Sequence, residues 1–137
     1  MPDIQQFDTT MRLLHKVLDL RSKNQEVIAS NIANAETPGY KAKSFRFEEQ
    51  LRNAITDNNL QPVPSRPGHI PLAPAGLEQV TGTVTATEDT TGLGDRNTVS
   101  VDQEMIKLSE NEILYETAVT MLNKKLSTLK YVTNGGA

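Results

Sequence analysis

The two ends of the chain carry one pattern, and that pattern constrains the fold more than any other feature. From Phe7, seam positions recur at Met11, Leu14, Leu18, Arg21, Gln25, Ile28, Ile32 and Ala35, in alternating steps of four and three. This is the spacing of a heptad seam along a helix, and only Arg21 and Gln25 interrupt it with polar groups. Val17, Leu20 and Val27 widen the stripe. The spacing predicts one helix over about 3–35, with Asp3 and Gln6 as a capping box. At 1.5 Å per residue it is roughly 50 Å long. The other end repeats the pattern at Met105, Leu108, Glu112, Tyr115, Val119, Leu122, Leu126 and Leu129. A second helix is predicted over about 101–131, capped by Ser100 with Gln103 and stopped by the tail "NGGA".

The two seams complement each other when set in opposite directions. If facing residue numbers sum to 133, Phe7 meets Leu126, Met11 meets Leu122, Leu14 meets Val119, Leu18 meets Tyr115 and Ile28 meets Met105. Arg21 then falls opposite Glu112, and Gln25 opposite Leu108 is the one mismatch. A slip by one heptad sets these charges against apolar groups, which is costly. Arg21–Glu112 is therefore expected to key the register, within or between chains. The plain alternative leaves Glu112 solvated at the stripe's edge. Two helices of this length are marginal by themselves. The wide stripes call for further neighbours, and the helices are expected to order on assembly.

The middle of the chain differs, and three regions follow: 1–40, 41–100 and 101–137. "SFRFEEQLRNAI" predicts a short helix with Phe47, Leu51 and Ile55 on one face. "QPVPSRPGHIPLAP" holds five of the seven prolines and suits neither a helix nor a central strand. "EQVTGTVTATEDTTGLGDRN" reads as a short strand or hairpin followed by a turn. The fold class is mainly α: long terminal helices pairing as an antiparallel, coiled-coil-like inner domain, with an irregular, Pro-rich, partly β middle.

Several function classes are excluded or disfavoured. The chain has no Cys, so disulfides and thiolate metal sites are ruled out. A net charge of −3 with scattered basic residues provides no electrostatic footprint for nucleic acid. No apolar run approaches the length of a membrane span, and "MPDIQQFDTT" shows no cleavable secretory signal. There is no phosphate-cradling Gly-rich loop, no G-x-S-x-G and no H-E-x-x-H. His15 flanks the first seam, and His69 sits in the Pro-rich stretch. Glu48-Glu49 and Glu88-Asp89 read as solvated acids. Lys41, Lys43 and Arg46 form a small basic cluster that is either solvated surface or a contact to acidic neighbours. No cofactor, metal site or catalytic residue is expected.

Between the first seam and the middle lies "SNIANAETPGYKAKSF". Thr37-Pro38-Gly39-Tyr40 fits a type II turn, with Pro38 fixing φ and Gly39 supplying the positive φ. Pro38 also biases Thr37 away from helix, so the helix should end near Asn34 or Ala35. Asn34 is placed to bond the freed carbonyls or to adopt the left-handed cap. Asn31 lies beside the seam, where its amide can bridge to a neighbouring chain.

The whole string "SNIANAETPGYKAKSFRFEEQL" resembles the N-terminal signature of the flagellar axial proteins, which build rod, hook and hook-associated junctions. On that resemblance Asn31, Ala33, Asn34, Thr37, Pro38, Gly39 and Tyr40 are the family's motif and joint residues. "VSVDQEMIKLSENEILYETAVTMLNKKLSTLKYV" resembles the C-terminal region of the same family. "VDQEM", "LSEN", "LNKKLSTLK" and the central "RPGHIPLA" are most similar to its proximal rod members. One departure is "GDRNTVSVD", where the family more often carries a Gly-Asn-Asn-like run.

The resemblance implies a structural subunit of the bacterial flagellar basal body. Such a subunit passes through the flagellar type III export apparatus without a cleaved signal. It polymerises in the periplasm through its terminal helices, links the membrane ring to the distal rod and transmits torque. The implied partners are other copies, other rod proteins, the rod–ring adaptor protein and the membrane ring. The alternatives are a different rod protein of the same family and a non-polymerising helical export or adaptor module. An enzyme acting through a His/Asp/Glu site in the middle is the third class.

Overall fold

The computed structural model describes residues 4–59, 75–90, 92 and 94–135. Two long helices dominate it, α1 over Ile4–Ala33 and α4 over Val101–Thr133. Both match the helices predicted from the heptad spacing. Between them lie β1 (Lys43–Arg46), α2 (Glu48–Asn59), the short α3 (Ala75–Glu78) and β2 (Thr83–Ala86). The Asp3 cap, the Pro-rich stretch and His69 lie outside the described residues, as does the side chain of Phe7. Ser100 does occupy the N-cap of α4 in extended conformation, but its side chain makes no capping bond.

The middle segment is more ordered than its composition suggests. β1 and β2 pair antiparallel, with Phe45 opposite Val84 and Lys43 opposite Ala86. "SFR" is therefore strand, and the helix expected over the whole of "SFRFEEQLRNAI" begins only at Glu48. The sequence around Phe45 and Phe47 alternates apolar and polar residues, which suits a strand whose alternate side chains face one side. Phe45 and Phe47 are both buried, with ring centroids 5.4 Å apart. They form a core with Leu20 of α1, Ala54 of α2 and Val80, flanked by Val27 and Leu51. Ile55, expected on the apolar face of α2, is exposed, and Ala54 takes its place.

Two glycines are required by this packing. A Cβ on Gly82 would lie 2.2 Å from the Phe45 ring, and its φ of +69° favours glycine in any case. Gly76 of α3 lies against the Ala54 backbone, where a Cβ would meet the carbonyl oxygen at 3.1 Å. Arg12 also ties α3 to α1 through a 2.8 Å ion pair with Glu78. The hydrogen bond from Arg12, and then its charge, hold the Glu78 carboxyl below its ordinary value.

The helices α1 and α4 touch along much of their length, and the contacts run in opposite order along the two. Asn31 reaches Glu104, and Asn24 reaches Asn111. These numbers sum to 135 rather than the expected 133. The residues of α4 that turn inward follow the heptad Glu104, Leu108, Asn111, Tyr115, Ala118, Leu122, Lys125 and Leu129. Leu108, Tyr115, Leu122 and Leu129 are shared with the seam read from the sequence. Its other half is displaced by one residue. Met105, Glu112 and Leu126 are exposed, while Val119 is half-buried. On α1, Met11, Leu14, Leu18 and Arg21 are half-buried and Ile28 is buried.

Candidate functional site: a polar lock and a stitched turn

Three polar side chains are almost fully buried: Asn31 at 0%, Asn111 at 1% and Glu104 at 2% exposure. Buried amides and carboxylates are tolerated only when their hydrogen bonds are made, and here they are. The Asn31 amide NH2 donates to the Lys43 carbonyl at 2.7 Å and to Glu104 Oε2 at 2.9 Å. Its carbonyl oxygen accepts from the Lys43 backbone N–H at 2.8 Å and from the Tyr40 hydroxyl at 3.4 Å. The side chain thus pairs with the Lys43 backbone as a neighbouring strand would. It fastens β1 and α4 to the end of α1. The other oxygen of Glu104 accepts from Lys107 at 2.6 Å.

A second lock lies two turns away. Asn111 donates to the Arg21 backbone carbonyl at 3.0 Å and accepts from Asn24 at 2.9 Å. Arg21 also reaches Asn111 Oδ1, at 3.4 Å. Its guanidinium lies 4.9 Å from the centre of the Phe47 ring and 3.6 Å from the Glu48 carboxylate. Within the chain, therefore, Arg21 does not pair with Glu112. The expected key is replaced by Asn111 and Glu48, and Glu112 is exposed.

The end of α1 is a tightly bonded joint. The helix stops at Ala33. Asn34 takes the first of its two expected roles, its amide donating to the Ser30 carbonyl at 2.8 Å. Gly39 has φ +72°, and the Tyr40 N–H donates to the Thr37 carbonyl at 3.2 Å, closing the turn. The Tyr40 hydroxyl folds back to Ser30 Oγ at 3.1 Å.

The carbonyls freed at the helix end are satisfied from far along the chain. Asn97 directs its amide NH2 at the carbonyls of Asn34 (2.9 Å), Ala35 (2.8 Å) and Thr37 (2.8 Å). Its own oxygen accepts from the Val99 N–H. The Gly39 N–H donates to the Asp95 carbonyl, Thr98 N–H to that of Tyr40, and Ala42 N–H to Thr98 Oγ1. The segment before α4 thus stitches the turn after α1. Arg96, inside that segment, has φ +59°, the one non-glycine with positive φ among the described residues.

Of the motif residues, Asn31, Asn34, Thr37, Gly39 and Tyr40 come together in this joint. Pro38 occupies the turn's second position, and Ala33 is the last, exposed residue of α1. The amide of Asn31, expected to reach a neighbouring chain, is consumed inside its own. Sequence reasoning missed Asn24, Asn97, Glu104 and Asn111. A heptad of polar residues, Glu104 then Asn111, was the available signal. Lys41, of the small basic cluster, forms an ion pair with Glu88, and Lys43 lies over the Tyr40 ring. Among the described residues no cluster of three His, Asp or Glu is placed to hold a metal. No described helix is long and apolar enough to cross a membrane.

Two long helices locked by buried amides, with a stitched turn and exposed apolar residues along α4, define a helical structural subunit. The profile of a family described as "Flagella basal body rod protein" matches residues 18–41, the second half of α1 and the turn. The chain is 36% identical to the flagellar basal body rod protein FlgB of Aeromonas hydrophila, over 94% of this chain and 96% of that one. It is 32% identical to FlgB of Bacillus subtilis over 95% and 97%, and 30% identical to FlgB of Salmonella typhimurium over 97% and 99%. The chain belongs to the flagellar basal body rod protein FlgB family.

Proposed function

We propose that the chain is a structural subunit of the flagellar basal body rod, acting by association rather than catalysis. The observation that carries this reading is similarity to rod proteins across nearly the whole chain, α1, middle and α4 together. The apolar surface of α4 supports it. Ile106, Ile113, Met121, Tyr131 and Val132 are all more than half exposed. A helix apolar on several sides suits burial among neighbours.

In this reading the antiparallel helix pair of regions 1–40 and 101–137 forms the coiled-coil-like inner layer. The seam residues exposed in the single chain, Met105, Glu112 and Leu126, face other subunits. Region 41–100 forms the outer part, and Thr37 to Tyr40 is the joint between layers. The subunit crosses the type III export apparatus, assembles in the periplasm with other copies and other rod proteins, meets the rod–ring adaptor protein and membrane ring, and transmits torque.

Electron microscopy of isolated basal bodies tests the reading. Removing the chain from its organism should leave rings without rods, and restoring it should restore rods. A chain truncated after Ala118 should be exported yet build none. Normal rods in its absence would sink the proposal.

A further inference from the structure

Charge is segregated along α4. Residues 101–117 carry five acids, Asp102, Glu104, Glu110, Glu112 and Glu116, against the single base Lys107. Residues 118–133 carry Lys124, Lys125 and Lys130 and no acid. Glu104 and Lys107 pair with each other. Glu110, Glu112, Glu116, Lys124 and Lys130 are exposed, and none enters an ion pair among the described residues.

The helix dipole does not explain this arrangement. Its influence falls off within the first and last turns. Glu110 to Glu116 begin more than two turns inside α4, and Lys124 lies nine residues before its end. The same helix is apolar on the side opposite Glu104 and Asn111. There Ile106, Ile113 and Tyr131 are 60%, 64% and 61% exposed.

We propose that this side of α4 docks the α4 of a second copy, parallel and displaced by 18 residues. The displacement is five full turns, roughly 27 Å. It brings Glu112 of one copy level with Lys130 of the next, and Ile113 level with Tyr131. Two such steps, 36 residues, exceed the 33 residues of α4, so alternate copies on one face do not collide. A parallel pair without displacement sets acid against acid. An antiparallel pair in full overlap satisfies the charges too, but it is self-complementary and closes as a dimer. A subunit that polymerises needs a contact that stays open, which selects the staggered arrangement. The inference rests on the self-association reading above.

The chain has no Cys, so introduced thiols report contacts without background. Chains carrying Ile113→Cys and Tyr131→Cys, mixed under associating conditions and oxidised, are expected to give mainly the mixed disulfide. Each alone is expected to give little. Glu112→Lys or Lys130→Glu should each weaken association roughly two- to fivefold, and the double reversal in one chain should restore it. Efficient self-crosslinking of Ile113→Cys overturns the stagger, as does association that proceeds without the mixed disulfide. A chain that sediments as a monomer at every concentration overturns the self-association reading itself.

Discussion

Asn31 uses both amide hydrogens and both acceptor positions inside the chain, with no exposed surface left. Its replacement is therefore expected to leave partners orphaned rather than simply to lose contacts. Asn31→Ala should cost about 2–4 kcal/mol, since the Lys43 backbone groups and Glu104 lose partners in a dry site. Asn31→Asp should be worse, because it removes both donors and faces a carboxylate to Glu104. Adding Glu104→Gln should recover part of the loss. Denaturant unfolding of the four chains checks this; additive losses in the double variant would count against direct coupling. Gly82 makes a second point at this scale. Gly82→Ala drives a methyl into the Phe45 ring and strains a positive φ, and a loss of roughly 1–3 kcal/mol is expected. Arg96 points the other way. A long side chain sits in the left-handed region that glycine and asparagine tolerate better. Arg96→Gly or Arg96→Asn should keep or raise stability, by up to about 1 kcal/mol.

Among the elements, the turn after α1 is the one whose behaviour depends on distant chain. Its three freed carbonyls are held by Asn97, some sixty residues on. Asn97→Ala is expected to speed hydrogen exchange at the Gly39, Ala42 and Thr98 amides, whose bonds belong to the same stitching. Exchange inside α2 should not change. Pro38→Ala with Gly39→Ala should loosen the turn from within, and rod assembly should fall while export continues. Motility assays and secreted protein levels separate the two effects, and unimpaired motility would remove the joint from the account. The turn itself was legible, because Pro38 and Gly39 each demand a particular φ. Its clasp was not, because "GDRN" reads only as another turn until the fold carries it to the end of α1. The strand at "SFR" was hidden for a similar reason. Four residues do not separate helix from strand until a partner at Thr83 to Ala86 supplies the ladder.

For the whole molecule, order should be graded. The core under α1 and both polar locks cluster around the second half of α1 and the first half of α4. Beyond Ala118 the helix offers Met121, Leu126, Tyr131 and Val132 largely to solvent. In the free chain, amide protection is therefore expected to be greatest near Asn31 and Asn111 and to decline toward Thr133. Assembly should raise it there. Hydrogen exchange on free and assembled protein measures both, and uniform protection of α4 in the free chain would contradict the gradient.

The sequence by itself determined that two long helices stand at the ends, that a rigid turn follows the first, and that the chain resembles flagellar axial proteins. Heptad spacing, Pro38, Gly39 and the terminal motifs are local signals, readable without knowing what touches what. Only the tertiary structure decided which face of α4 turns inward. Apolar residues lie on several sides of that helix, so counting them cannot choose among faces one residue apart. The choice falls to hydrogen bonds: Asn31 needs Glu104, and Asn24 needs Asn111. Complementarity between polar groups is a property of pairs, and it exists only once the two helices are side by side.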